Sequence, residues 1–239
     1  MSKILLVGSE GFIGSNLWKM AEGHWLGNDK KMGVPIEQMN FEGYDFDFVV
    51  LLAANLEHDR QMYVDNLSIY NWAASNFPDA HFIYTSSAAV YGDSFSSCEE
   101  NQPLDPDNYY GYSKMLGEEI IKATKTNYTI LRLSNVYGNG DGNGVIDIFK
   151  NGGKTIYGNG EDIRDYVPVG TVCSAILKII ESPEKYNKNI YNVSTNKGTA
   201  TLEAFQKYGK GEPKFVEARR YDIQHSVLSN YKAKQTGLI

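Results

Sequence analysis

The sequence predicts an α/β fold: a doubly wound parallel sheet followed by a small irregular C-terminal lobe. Short apolar runs of strand length alternate with helix-period segments over the first 135 residues. Beyond Asn135 that alternation breaks up into turn-rich chain. Strand–helix alternation is what a parallel sheet requires, because each strand needs a crossover before the next can run in the same direction.

Residues 4–7 (ILLV) are a continuous apolar run, as expected of a strand covered on both faces. Three spaced glycines follow, then residues 15–22 read as a short helix and 24–28 as a second strand. Residues 48–53 (FVVLLA) form a third strand. The segment 57–76 sets Met62, Leu67, Tyr70, Ala73 and Ala74 at helical spacing and stops before Pro78. Residues 81–85 are the next strand, followed by a polar loop to Asn108, a helix over 109–124 and a strand over 128–133. In the remainder, 139–144 and 151–153 are Gly/Asn turns, 171–181 is a helix and 189–193 a strand. The expected division is a larger unit over 1–136 and a smaller lobe over 137–239, partly interleaved with the first.

Of the 239 residues, 42% are hydrophobic and 22% charged, which is ordinary for a folded globular chain. The net charge of -6 argues against a general affinity for nucleic acid or anionic membranes. No apolar run approaches the roughly 20 residues that cross a bilayer, and the first apolar stretch is too short for a signal-peptide core. Cys98 and Cys173 lack metal-ligand spacing and only four histidines are present, so no metal site or disulfide framework is expected. A reducing, cytoplasmic location follows as the default.

Gly8, Gly11 and Gly14, with Phe12 and Ile13 between them, join the first strand to the first helix. Backbone N–H groups and the helix dipole hold a pyrophosphate at such a place, and side chains would block its approach. The spacing G-x-x-G-x-x-G is looser than G-x-G-x-x-G, so the position directly after a buried strand carries the weight. This points to a Rossmann-type, NAD(P)-binding unit over 1–136. Asp29, at the end of the second strand, is placed to bind both ribose hydroxyls of NAD. Lys30 and Lys31 follow it and keep NADP open, and a plain surface turn is the competing reading of Asp29.

Of 17 tyrosines, only Tyr110 has a lysine, Lys114, four positions later. Residues four apart share a helix face, so both can enter one cleft. An ammonium nearby is expected to stabilise phenolate and lower the tyrosine pKa toward neutrality, giving an acid/base for a sugar hydroxyl. The lysine can also hold a nicotinamide ribose. On spacing alone, such a pair is as easily a solvated helix face. Ser86 and Ser87 lie at the C-terminal end of a buried strand, where α/β domains bind ligands. A hydroxyl there can bond the substrate oxygen while Tyr110 moves the proton; a turn or cap serine is the alternative.

Together these motifs resemble the extended short-chain dehydrogenases/reductases, in the nucleotide-sugar epimerase/dehydratase group. The resemblance rests on LLVGSEGFIGSNL at 5–17, VVLLAAN at 49–55, YTSSAAVYGD at 84–93 and NYYGYSK at 108–114. It continues through LRLSNVYG at 131–138, TIYGNGEDIRDYVPV at 155–169 and ARRYD at 218–222, in the expected order. It implies that the glycine loop holds the NAD pyrophosphate and that Ser87, Tyr110 and Lys114 are the catalytic triad. Leu52, Ala53 and Ala54 match the strand end bordering the cofactor, and Asn66 an asparagine near the nicotinamide. Asn135 matches a residue binding the sugar-nucleotide diphosphate, Thr155 and Tyr157 flank the base, and Arg164 and Arg220 clamp phosphate or ribose. A planar guanidinium suits that task, although each arginine alone reads as a surface charge. The resemblance also implies a homodimer, formed by residues 57–76 and 110–124 as half of a four-helix bundle.

The chain departs from the pattern in three places. It is short for this group, the 30–47 region leaves no room for a helix, and Gly170 stands where an aspartate is usual. The resemblance implies hydride transfer between sugar C4 and nicotinamide. A 4,6-dehydratase of this group carries Asp-Glu after the triad hydroxyl, and a 3,5-epimerase/4-reductase an extra acid such as cysteine. Here Ala88 and Ala89 follow Ser87, which leaves 4-epimerase as the leading reading. An NAD(P)H-dependent ketoreductase is the alternative, and a non-catalytic cofactor-sensing protein the reading from another class.

Overall fold

The computed structural model describes residues 2–28, 41, 44–56, 60–138, 142, 144–219 and 222–239. In chain order the first part comprises β1 (Lys3–Val7), α1 (Phe12–Met20), β2 (His24–Asn28), β3 (Phe48–Leu51), α2 (Arg60–Asn76) and β4 (His81–Ser87). A 3-10 turn (Ala88–Tyr91), α3 (Tyr109–Thr124) and β5 (Tyr128–Leu133) follow. Then come β6 (Asn135–Tyr137), α4 (Val145–Lys150), β7 (Thr155–Tyr157), β8 (Ile163–Pro168), α5 (Val169–Glu181), α6 (Pro183–Tyr186) and β9 (Asn189–Val193). The chain closes through β10 (Gly198–Ala200), α7 (Thr201–Tyr208), β11 (Lys214–Val216), β12 (His225–Ser226) and α8 (Tyr231–Gln235).

Six strands pair in parallel in the order β2-β1-β3-β4-β5-β9. Side chains alternate along each strand, so Leu6, Val50 and Ile83 face α1 and α5, while Leu5, Val49 and Phe82 face α2 and α3. All six are 0% exposed, which is why these strands read as unbroken apolar runs rather than alternating ones. The chain leaves β1 toward β2 on one side and resumes at β3 on the other. That reversal puts a crevice at the carboxyl ends of β1 and β3, where open α/β sheets bind ligands.

α5 and β9, from the second half of the chain, return to this sheet: Val172, Ile176 and Val193 share a core with Leu6 and Leu17. The rest of that half packs separately, with Ile146, Phe149, Ile156 and Phe205 forming their own cluster under β8. β8 is the centre of a second sheet, pairing antiparallel with β10 and parallel with β12 and β6.

Several boundaries differ from expectation. α1 begins at Phe12, three residues early, because Gly11 takes an extended N-cap conformation and its carbonyl accepts from the Ser15 N–H at 2.8 Å. The first helical turn is therefore built from residues assigned to the glycine loop. β4 runs on to Ser87, carrying the candidate triad serine on the strand end itself. The expected shortage of structure over 30–47 lies outside the described residues apart from Phe41 and 44–47.

One buried cation ties the two helices on the α2/α3 face. Lys125, just past α3, donates from Nζ to the carbonyls of Ala74 and Phe77 (the latter at 2.7 Å), closing the C-terminal end of α2. Charge-assisted hydrogen bonds to orphan helix carbonyls contribute about 1.5–3 kcal/mol. Lys125→Met is expected to lower stability by about 2 kcal/mol in urea unfolding; an unchanged midpoint would remove this role.

Candidate active site

The crevice is built first by the glycine loop. Gly8 has φ of +94°, and a Cβ there would lie 2.8 Å from the Ala53 amide nitrogen. A Cβ on Gly14 would sit 2.1 Å from the Gly8 carbonyl oxygen. These glycines let β1, α1 and the 52–54 segment meet; the Leu52 and Ala53 N–H groups both donate to the Val7 carbonyl, at 2.9 and 3.0 Å. Among the described residues no side chain caps α1, so its first turn, Phe12 and Ile13 included, offers backbone donors to an anion. That donor set fits a dinucleotide pyrophosphate. Leu52, Ala53 and Ala54 are half-buried along the crevice. Asp29 lies outside the described residues.

Asn66 acts through the backbone. It is fully buried on α2; its Oδ1 accepts from the Asn55 N–H at 2.7 Å and its Nδ2 donates to the Asn55 carbonyl at 3.1 Å and to Ser113 Oγ at 3.2 Å. It thus fixes the chain leaving β3 to α3.

α3 begins at Tyr109, with Asn108 Oδ1 accepting from the Gly111 N–H at 2.9 Å as N-cap. Its first turns aim Tyr110 and Lys114 at the end of β4. Ser87 is half-buried and its Oγ accepts from the Ala89 N–H at 3.2 Å, capping the 3-10 turn. The same hydroxyl stands within hydrogen-bonding reach of the Tyr110 phenol and draws its pKa down. Ser87 is thus a turn cap, the alternative the sequence offered, and it also lies beside the tyrosine.

The electrostatics differ from the expected phenolate. Burial pushes Tyr110 up to about 12, against the lowering effect of Ser87. Burial also pulls Lys114 down from 10.5 to about 7, with the Glu118 carboxylate opposing the fall. Lys114 Nζ donates to the Thr85 carbonyl at 2.8 Å and lies 5.8 Å from the Tyr110 ring centroid, between the rings of Tyr70 and Tyr84. The cation therefore lies over the tyrosine ring, and desolvation dominates both groups.

A lysine depressed in this way binds fewer protons folded than unfolded between about pH 7 and 10.5. Its penalty is fully present below pH 7 and is relieved as pH rises through that window. Lys114→Met is accordingly expected to raise the melting temperature most below pH 7. An equal gain at pH 6 and pH 10 would contradict the desolvated lysine.

The lobe residues are placed separately. Asn135 opens β6, two residues past Leu133, which pairs with Ser87; it lies opposite Tyr166 on β8. Arg164, on β8, is half-buried, with NH1 donating to the Ile163 carbonyl at 3.0 Å and NH2 3.6 Å from Asp162 Oδ2. Thr155 and Tyr157 are exposed on β7. Arg220 lies outside the described residues, but its neighbour Arg219 stacks its guanidinium 3.8 Å from the Tyr157 ring centroid. A side chain at Gly170 would meet nothing within 4 Å, so the backbone does not demand glycine there.

The sequence reading missed a buried network behind the site. Ser86 Oγ donates to Glu118 Oε1 at 2.6 Å, and Arg132 donates to the same carboxylate from Nε at 2.9 Å and NH2 at 2.7 Å. Arg132 NH1 reaches Tyr91 Oη at 2.8 Å, and that hydroxyl donates to Asn192 Oδ1 at 2.9 Å. The available signal was the spacing Tyr110, Lys114, Glu118, which continues one helix face in steps of four.

A Rossmann-type sheet with a tyrosine–lysine helix beside its glycine crevice defines a class of dinucleotide-binding folds. Residues 38–194 match the NAD dependent epimerase/dehydratase family, and the chain belongs to that family. It is 35% identical over 173 residues to a Methanocaldococcus jannaschii protein provisionally named UDP-glucose 4-epimerase, covering 64% of this chain and 55% of the relative. It is 29% identical over 207 residues to the N-acetyl-alpha-D-glucosaminyl-diphospho-ditrans,octacis-undecaprenol 4-epimerase of Escherichia coli O157:H7, covering 72% of this chain and 61% of that one. The chain thus matches little more than half the length of these relatives. Among solved structures, the Thermus thermophilus UDP-glucose 4-epimerase in complex with NAD superposes with a TM-score of 0.81 at 24% identity, over 99% of this chain and 93% of that one. At that identity the likeness establishes the fold.

Proposed function

We propose that this chain is an NAD-dependent nucleotide-sugar 4-epimerase with Ser87, Tyr110 and Lys114 as its catalytic residues. The observation that carries the proposal is the meeting of Ser87 and Tyr110 beside the glycine crevice, with only Ala88 and Ala89 following the serine. The names of its relatives support the same reaction. In this reading Tyr110 takes the proton from the sugar C4 hydroxyl and later returns it to the C4 oxygen. Ser87 holds that oxygen by a hydrogen bond, and Lys114 places positive charge over the tyrosine ring. Bound NAD supplies the hydride acceptor and donor at C4. Gly8, Gly11, Phe12, Ile13 and Gly14 hold its pyrophosphate, Leu52, Ala53 and Ala54 border it, and Asp29 takes its adenosine ribose. Asn66 keeps the crevice wall in place through Asn55.

For substrate, Asn135 and the arginines Arg164 and Arg220 take the diphosphate of a nucleotide sugar, and Thr155 and Tyr157 flank its base. Neither alanine after Ser87 can act as the extra acid or base that water elimination requires, so dehydration is not proposed. The reading is tested by incubating the purified protein, with no added cofactor, with UDP-glucose, UDP-N-acetylglucosamine, dTDP-glucose and GDP-mannose, followed by anomeric NMR. Conversion of one of them to its C4 epimer is expected; a product formed only with added NADPH would favour the ketoreductase instead.

We further propose a homodimer through α2 and α3, which pack together and leave Val64, Tyr109 and Tyr112 exposed at 43–55% on their outer faces. Light scattering should give twice the chain mass. The proposed location is the cytoplasm, supported by two buried, unpaired cysteines; among the described residues no helix is long and apolar enough to cross a membrane.

A further inference from the structure

Resting on that functional reading, we propose that Glu118 is a positioning residue. Its carboxylate locks the Ser86–Ser87 end of β4 to the helix face that bears Tyr110 and Lys114.

Two elements must be held in register for Ser87 and Tyr110 to share one substrate oxygen: the end of β4 and the start of α3. Ladder hydrogen bonds fix β4 to β5, with Ser86 opposite Arg132 and Ser87 opposite Leu133. They do nothing to fix either strand to α3. Alternation sends Tyr84 and Ser86 toward the helix, and both reach it: Tyr84 Oη donates to the Lys114 carbonyl at 3.3 Å, and Ser86 Oγ to Glu118 at 2.6 Å. The Ser86 bond is the shorter and has a charged acceptor, so it is the stronger tie.

Glu118 is 0% exposed and Arg132 2% exposed. A carboxylate so buried is held only because three donors satisfy it, two from Arg132 and one from Ser86. An aliphatic pair would fill this space at no desolvation cost, so stability alone gives little reason for the ion pair. What it supplies is geometry: three elements, β4, β5 and α3, converge on two oxygen atoms. It also supplies charge, because Glu118 lies one helical turn beyond Lys114. Among the described residues, the groups facing Lys114 are Tyr70 from α2, Tyr84 and the Thr85 carbonyl from β4, and Tyr110 and Glu118 from α3 itself. Glu118 is the one anion among them, so it favours the ammonium form.

Two variants separate the geometric and electrostatic parts. Ser86→Ala removes the Glu118 tie to β4 and leaves the ion pair whole. Glu118→Gln combined with Arg132→Gln removes the charges together, which avoids stranding a buried guanidinium. The wild type and both variants, labelled with 13Cε-lysine, are titrated by NMR, with Lys114 assigned through Lys114→Met, and turnover of the best sugar nucleotide is measured. Ser86→Ala is expected to lower kcat by roughly tenfold with KM within about twofold and the Lys114 midpoint unmoved. In the double variant the midpoint should fall below about 7, because the anion that raises it has been lost and Arg132 is not among the groups that shift Lys114. A wild-type kcat in Ser86→Ala, or a wild-type Lys114 midpoint in a folded double variant, overturns the proposal. A wild-type protein that turns over no sugar nucleotide would refute the functional reading instead, and the Lys114 titration would still decide the electrostatic role of Glu118.

Discussion

Replacing Tyr110 by phenylalanine is expected to reduce turnover by about a thousandfold or more, with NAD affinity changed by less than about twofold. The phenol is the one group on α3 that both borders Ser87 and carries a transferable proton, since Lys114 points its ammonium at the Thr85 carbonyl. Positioned general acid–base groups contribute about 10²–10⁴ in rate, and in the proposed reaction this one would transfer a proton in both half-reactions. The substitution keeps the ring and its packing and removes one oxygen, with its contact to Ser87. Stability should therefore be unchanged or slightly raised. Turnover within tenfold of wild type for every sugar nucleotide would end the catalytic assignment of Tyr110.

The second large effect is expected at Gly14. An alanine Cβ there would sit 2.1 Å from the Gly8 carbonyl oxygen and 2.9 Å from both the Gly8 and Ser9 carbonyl carbons. All three are backbone atoms, so no side-chain rotation relieves the clash and the loop must move away from α1. Overpacking costs about 1–3 kcal/mol where side chains can adjust, and a rigid backbone puts this site at the upper end or beyond. A loss of about 3 kcal/mol falls on a loop whose only proposed task is to present amides to pyrophosphate. NAD affinity should drop by roughly 100-fold or more, while the Tyr110 and Ser87 geometry, on other elements, persists. Isothermal titration of NAD into Gly14→Ala decides it; wild-type affinity would mean that the pyrophosphate sits elsewhere.

What is legible in the sequence follows from length and burial. β1 and β3 are covered on both faces and show as ILLV and FVVL, and α3 is legible at its full extent because Asn108 caps it and its apolar spacing is regular. The lobe is not legible in detail: β6, β7, β10 and β11 are three residues each, too short for a period of two to show. α4 is hidden because its six residues sit between two glycine clusters that read as one loop. Within the site, Tyr110 and Lys114 stand out because a spacing of four is a property of the helix alone. The role of Glu118 depends on Ser86 and Arg132, which lie 32 and 14 residues away in sequence. No local pattern encodes a contact of that kind. The depressed pKa of Lys114 is hidden for the same reason: charge is visible in the sequence, and desolvation by Tyr70 and Tyr84 is not.

The central claim is that one site, using a cofactor it retains, takes hydride from sugar C4 and gives it back to the same carbon. The direct test is to incubate the protein as purified with UDP-[4-2H]glucose, or the 4-deuterated form of whichever sugar nucleotide it accepts, and follow the label by NMR. The account predicts that the C4 epimer appears without added reductant and still carries deuterium at C4. An epimer with protium at C4, or a product that forms only when NADPH is supplied, would contradict it.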